Sequence, residues 1–183
     1  MNILRTSLLA VALLPSALFA AAPAKPAAPA FDSSIISGLG ARNIGSAAMS
    51  GRISSLDAVT MPDGKLMVWV GAASGGVWKS LDGATTFTPV FDDQPVQSIG
   101  AVEIDKRNTE TVWVGTGEAW TRNSVSIGNG IYKTTDGGDT WQHLGLDGSE
   151  RIGDIRIDPR ASDTVFACVT GRLWSDSLER GVY

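Results

Sequence analysis

From Arg52 onward, apolar and polar residues alternate in short runs, and the runs come in fours. Arg52–Val59, Leu66–Ala72, Gly76–Ser80 and Phe87–Val90 form one set; Ile99–Asp105, Thr111–Thr116, Gly130–Thr134 and Thr140–Leu144 form the next. These lengths suit strands, and Val, Ile, Thr and Trp fit a pleated, half-buried surface. Gly, Pro, Asn and Asp fill the gaps and end the strands. A third set opens with Gly153–Asp158 and Thr164–Thr170 and breaks off at Tyr183. No segment after residue 30 carries a helical apolar stripe.

The sets are copies of one another. Asp82 and Asp136 stand 54 positions apart, as do Thr86 and Thr140. GVWKS at Gly76 matches GIYKT at Gly130, and GVY at Gly181 matches both. IGAVEIDKRNTETVWVGTG from Ile99 aligns with IGDIRIDPRASDTVFACVT from Ile152, and the stretch from Ile53 is a looser version. Four strands per roughly 50 residues, in tandem, predict an all-β fold of β-propeller blades, each of four antiparallel strands. The blades are expected at about 51–91, 97–146 and 151–183, the last one cut short, so that about two and a half are present. A blade cannot bury both faces alone, and closure takes about 4–8 of them. The expectation is therefore the N-terminal part of a longer propeller, with further blades of the same polypeptide as partners. A non-functional truncated remnant is the alternative.

The first residues are a separate object. MNILR supplies a positive charge, Ser7–Phe19 an apolar core containing Pro15, and the Ala-rich exit a cleavage region. This is the layout of a secretory signal peptide over 1–22, too short to span a bilayer, so export without a transmembrane helix in the mature part is expected. Residues 23–39 form an Ala/Pro-rich spacer and lead-in, leaving 40–183 for the partial propeller. A formal charge of −4, with both signs interspersed, provides no basic field for nucleic acid. Cys168 is the single cysteine and His143 the single histidine. Neither has a partner at ligand spacing, so no metal or cofactor is expected.

The most repeated element is the turn between the third and fourth strands. In TTDGGDTW an Asp carboxylate accepts backbone N–H bonds of its own turn, Gly supplies positive φ, and Trp enters the next strand and wedges its ring beneath the turn, against the sheet. Ser80, Asp82, Thr86 and Phe87 in the first unit, and Thr134, Asp136, Gly138, Thr140 and Trp141 in the second, are expected to be structural. The turn lacks the several carboxylates of a calcium loop. These residues resemble the Asp-box, or BNR repeat, of sialidases and related propellers, with Ala84 and Phe87 departing from it in the first unit. Residues 40–183 resemble bacterial exported proteins with a sortilin-type propeller domain, often labelled glycosyl hydrolases. The resemblance implies a ligand-binding or scaffold module, with part of a sialidase-like or xyloglucanase-like glycoside hydrolase as the alternative.

Candidate ligand contacts lie on the loops before the third strands. GEAWTRNSVSIGN after Thr116 is a long insertion, and GRLWSDSLER follows Thr170. Trp120 with Arg122, and Trp174 with Arg172, suit a carbohydrate or peptide ligand through stacking and hydrogen bonds; the alternative is that each Trp packs its own loop. Arg52 and Arg151 match positions of sialidase arginines, whereas the second unit has Ser98. The stretch resembling the xyloglucan-cleaving enzymes has Ala73 where those carry a catalytic Asp. Glu118 is the one candidate carboxylate, and a glycosidase needs two, roughly 5–10 Å apart.

Overall fold

The computed structural model describes residues 52–183; the expected signal peptide, spacer and lead-in lie outside these residues. Strands β1 (Ile53–Thr60), β2 (Leu66–Ala72), β3 (Gly76–Ser80) and β4 (Thr88–Pro89) pair antiparallel in chain order. So do β5 (Ile99–Ile104), β6 (Val112–Thr116), β7 (Ile131–Thr134) and β8 (Gln142–His143). The third sheet contains β9 (Ile152–Asp158), β10 (Ala161–Val169) and β11 (Gly181–Val182), in the order β11-β10-β9. These are propeller blades, two of four strands and one of three.

Most strand ends shift by a residue from the sequence pattern, and two strand starts shift by more, each for a local reason. Strand β8 starts at Gln142 rather than Thr140 because the turn before it occupies the preceding polar groups: Thr140 gives both its N–H and its hydroxyl to Asp136. Strand β10 starts earlier than Thr164 because Ala161 already pairs with Asp158, with a register shift before Val165. Outside the strands, a 3-10 turn at Asp147–Ser149 leads into the third blade.

The blades stack flank to flank, and strand alternation assigns each residue its flank. Trp69 and Gly71 in β2 face the second blade, where Ile99, Val102, Val112, Val114 and Tyr132 share one buried cluster with Met67, Trp69, Val77 and Phe91. Trp141 follows its turn into this seam. Its ring lies edge-on to Trp69 and Phe91, at centroid distances of 6.2 and 5.0 Å, and its indole N–H donates to the Val90 carbonyl at 2.6 Å. The sequence pattern places the ring beneath its own turn; it instead crosses to the preceding blade. The second seam repeats the scheme with Ala101, Ile131, Ile152, Ile155, Ala167 and Val169.

Glycine sets how closely the blades approach. A Cβ on Gly71 would lie 2.6 Å from Ile99 Cγ2, and one on Gly115 would lie 2.5 Å from Ile152 Cγ2. Along the first strands Asp57, Glu103 and Arg156 stand in register with Trp69, Trp113 and Phe166. Asp57 accepts the Ile104 N–H at 2.7 Å and the Lys106 ammonium at 2.5 Å, and Arg156 reaches Glu103 at 3.3 Å. Burial, reinforced by the neighbouring Asp57 charge, pushes the Glu103 carboxyl above its ordinary range. Gly71→Ala should lower unfolding stability by about 1–3 kcal/mol through overpacking. Urea denaturation checks this, and an unshifted midpoint would contradict the close approach.

Candidate functional site

Each third strand has two ends with different chemistry. The turn to the fourth strand closes one end, and the loop from the second strand enters the other.

At the turn end nearly the same set of hydrogen bonds forms twice, with one extra N–H donor, that of Thr85, in the first turn. Asp82 accepts the N–H groups of Thr85 and Thr86 at 3.0 and 2.9 Å and the Thr86 hydroxyl at 2.7 Å, while the Ser80 hydroxyl donates to it at 2.8 Å. Asp136 accepts the Thr140 N–H at 2.9 Å and the hydroxyls of Thr140 and Thr134 at 2.5 and 2.6 Å. Ser80 and Thr134 in turn accept the N–H groups of Ala84 and Gly138, each at 2.9 Å. These donors favour the ionised carboxylates. The Thr86 N–H and hydroxyl lead in holding Asp82 down at about 2, and the Thr134 and Thr140 hydroxyls hold Asp136 below the carboxylate range. Ala84 takes a positive φ of 67° where the second turn has Gly138. A Cβ at Gly138 would come within 3.0 Å of Trp69 and Val90. Phe87, the counterpart of Trp141, remains half-exposed.

At the loop end the first strong feature is an ion pair between blades. Arg52, just before β1, donates from Nε to Glu118 Oε1 at 2.9 Å and from Nη2 to Glu118 Oε2. Glu118 is 1% exposed, and its hydrogen bonds raise the Arg52 guanidinium above its ordinary value. Such a two-point pair fixes orientation as well as charge. Both oxygens of the candidate carboxylate are thus engaged by an arginine. The chain turns into this position at Gly117, where a Cβ would meet the Glu150 carbonyl oxygen at 1.9 Å.

The long loop is strapped at both ends. Gly117 and Glu118 donate their N–H groups to the carbonyl and hydroxyl of Ser98 at 2.7 and 3.1 Å, and the Ser98 hydroxyl donates to the Ser126 carbonyl. Gly128 donates to the Glu150 carbonyl at 2.7 Å, tying the loop to the third blade. Between these straps Trp120 is 59% exposed, and Arg122 is exposed as well. On the next loop Trp174 is 70% exposed. Arg180 braces that loop by donating to the carbonyls of Thr170 and Arg172, each at 2.8 Å. Glu150 joins the two arginines of this region, reaching Arg151 at 2.8 Å and Arg172 at 3.3 Å. Arg151 is buried and Arg172 exposed.

The candidates therefore separate. Trp120, Arg122, Trp174 and Arg172 are exposed on the loops leading to the third strands of adjacent blades, whereas Glu118 and Arg151 are buried and Arg52 is half-buried against Glu118. The pairing of Arg52 with Glu118 and the bridging position of Glu150 have no local sequence signal, because they join residues of different strands or blades. The Asp turns could be found because every partner lies within four residues. No group of His, Cys, Asp and Glu suited to a metal occurs among the described residues, and no helix there is long and apolar enough to cross a membrane.

No family model matches the chain. A probable oligoxyloglucan-reducing end-specific xyloglucanase of Neosartorya fischeri is 35% identical over 81 residues, which cover 42% of this chain and 9% of that protein. The matched stretch is thus a small part of its curated relative. Among solved structures, a GH74 enzyme of Niastella koreensis is 26% identical, with a TM-score of 0.44 over 56% of this chain and 15% of that one. An ancestral GH74 enzyme is 16% identical, with a TM-score of 0.49 over 64% and 16%.

The depressed turn carboxylates set a pH dependence. Unfolded Asp protonates near its ordinary 3.8 and folded Asp82 near 2, so its stabilisation is present above about pH 4 and is lost as pH falls toward 2. Asp136 acts in the same direction. The melting temperature should fall over that window, and Asp82→Asn with Asp136→Asn should flatten the fall. An equal acid slope in the double variant would contradict the assignment.

Proposed function

We propose that this chain is the carbohydrate-contacting part of a β-propeller glycoside hydrolase, binding a glycan chain along the rim that carries Trp120 and Trp174. The observation that carries the reading is the pair of tryptophans, 59% and 70% exposed, on braced loops of adjacent blades. Large apolar rings held in water on fixed supports suit stacking on sugar faces, with Arg122 and Arg172 beside them as donors to hydroxyls. The named xyloglucanase relative supports a β-glucan of the xyloglucan type as the glycan.

On this reading the reacting carboxylates belong to parts of the enzyme outside residues 52–183. Arg52 engages both oxygens of Glu118, giving Glu118 the role of locking the long loop to the first blade rather than transferring a proton. The same pairing favours a second reading, a sortilin-like binding or scaffold module without turnover, taking a peptide or a glycan on the same rim. The Asp82 and Asp136 turns support an Asp-box assignment under either reading. Export through residues 1–22 suits both, since polymeric glycans lie outside the cell.

Affinity electrophoresis in gels containing xyloglucan tests the proposal. Trp120→Ala and Trp174→Ala should each weaken retention, by up to about tenfold in affinity if each loses about 0.5–1.5 kcal/mol of ring contact. Mobility unaffected by xyloglucan in the wild-type chain, or retention unaffected by both substitutions, would overturn it.

A further inference from the structure

Glu150 is bent where a side chain fits poorly. Its φ is 52° and its ψ −36°, and the Arg151 N–H donates across it to the Ser149 carbonyl at 2.5 Å. This is a γ-turn of positive φ, a rare and strained shape that persists only where its surroundings hold it. Most other positive-φ positions among the described residues are glycines, which bear the conformation at little cost. A glutamate kept there points to work done by its side chain.

The repeat shows that joining two blades does not require this strain. Gln97 holds the same place in the preceding linker, two residues before its first strand, and takes no positive φ. Its carbonyl accepts the Gly76 N–H at 2.9 Å, much as the Glu150 carbonyl accepts that of Gly128 at 2.7 Å. The side chains differ. Gln97 turns back on its own linker, donating to the carbonyls of Phe91 and Gln94, each at 3.1 Å. Glu150 instead reaches the loop of the third blade, where Arg172 pairs with one of its oxygens at 3.3 Å, while Arg151 holds the other at 2.8 Å.

One residue thus has an arm on each tryptophan-bearing loop. The Glu150 carbonyl sits at the neck of the loop that carries Trp120: it takes the Gly128 N–H, and a Cβ on Gly117 would lie 1.9 Å from it. The carboxylate takes Arg172, two residues before Trp174. The first blade's loop, 73–75, is short and carries no tryptophan, and the linker beside it is the unstrained one.

We propose, resting on the glycan reading of this rim, that Glu150 is a positioning residue that sets Trp120 against Trp174. The rim then favours a polymeric glycan touching both rings over a short oligosaccharide touching one. Two contacts held at one spacing bind a long chain as a unit, because the second forms at high effective concentration once the first is made. When the loops move independently that gain is lost, although each ring still stacks on its own sugar.

Glu150→Gln tests this by titration calorimetry, since the amide keeps one acceptor oxygen and turns an N–H2 group toward the other arginine. Binding to polymeric xyloglucan should weaken by roughly tenfold, part of the gain that joining two contacts provides. Binding to a single-repeat xyloglucan oligosaccharide should not change. On a Trp174→Ala background the same substitution should add no loss, because nothing remains to align. Equal losses for polymer and oligosaccharide, or a full further loss on that background, would overturn the positioning role. Amide exchange reads the hub without any glycan: Glu150→Gln should speed exchange at Gly128 as well as in 171–180. A Gly128 amide that does not respond would overturn the link between the two loops. Wild-type protein that ignores xyloglucan while Gly128 responds would overturn the glycan reading, and the polymer preference with it, while supporting the hub.

Discussion

A four-stranded sheet has two flanks and too few side chains of its own to cover either. Everything described in residues 52–183 follows from covering one blade with the next. The strands alternate so that each blade presents aliphatic residues backward and an aromatic residue with glycine forward. The close approach removes apolar area from water, the main favourable term in folding. It also explains why glycine occurs in mid-strand, where it would otherwise weaken the sheet. At Gly71 and Gly115 the facing isoleucines leave no room for a side chain.

The polar chemistry is arranged around these seams. At one end, Asp82 and Asp136 satisfy the groups of tight turns that would otherwise seek water, and Asp136 sets up the turn from which Trp141 enters the seam. At the other end, Arg52 and Glu118 fasten the long loop across a blade boundary. In a pair of this kind desolvation offsets much of the attraction, so its main contribution is geometric definition. The tryptophans above it can then stay exposed on supports that do not depend on their own packing. Staples occupy one rim, and the exposed tryptophans stand at the other.

Much of the fold was legible in the chain because its determinants are local and repeated. Alternation located the strands, and the copied turns gave the blade period. The fourth strand of the second blade was overestimated because Thr140 is spent on its turn, which no apolar pattern records. The geometry of the candidate site was only half legible. Trp120 and Trp174 were singled out by loop length and residue type, and both are exposed. Glu118 also stood out by type, yet its partner lies 66 residues away, in another blade. Trp141 was expected beneath its own turn and crosses to Trp69 and Phe91 instead, since only tertiary stacking decides which sheet a ring meets.

Native-state hydrogen exchange on wild-type protein and a Trp141→Ala variant addresses the mutual dependence of the blades most directly. If neighbouring sheets hold each other folded, losing this ring from the second blade should speed amide exchange in Leu66–Ala72 of the first as well as in Val112–Thr116 of its own. Faster exchange confined to the turn and strands of the second blade, with β2 unchanged, would contradict the account.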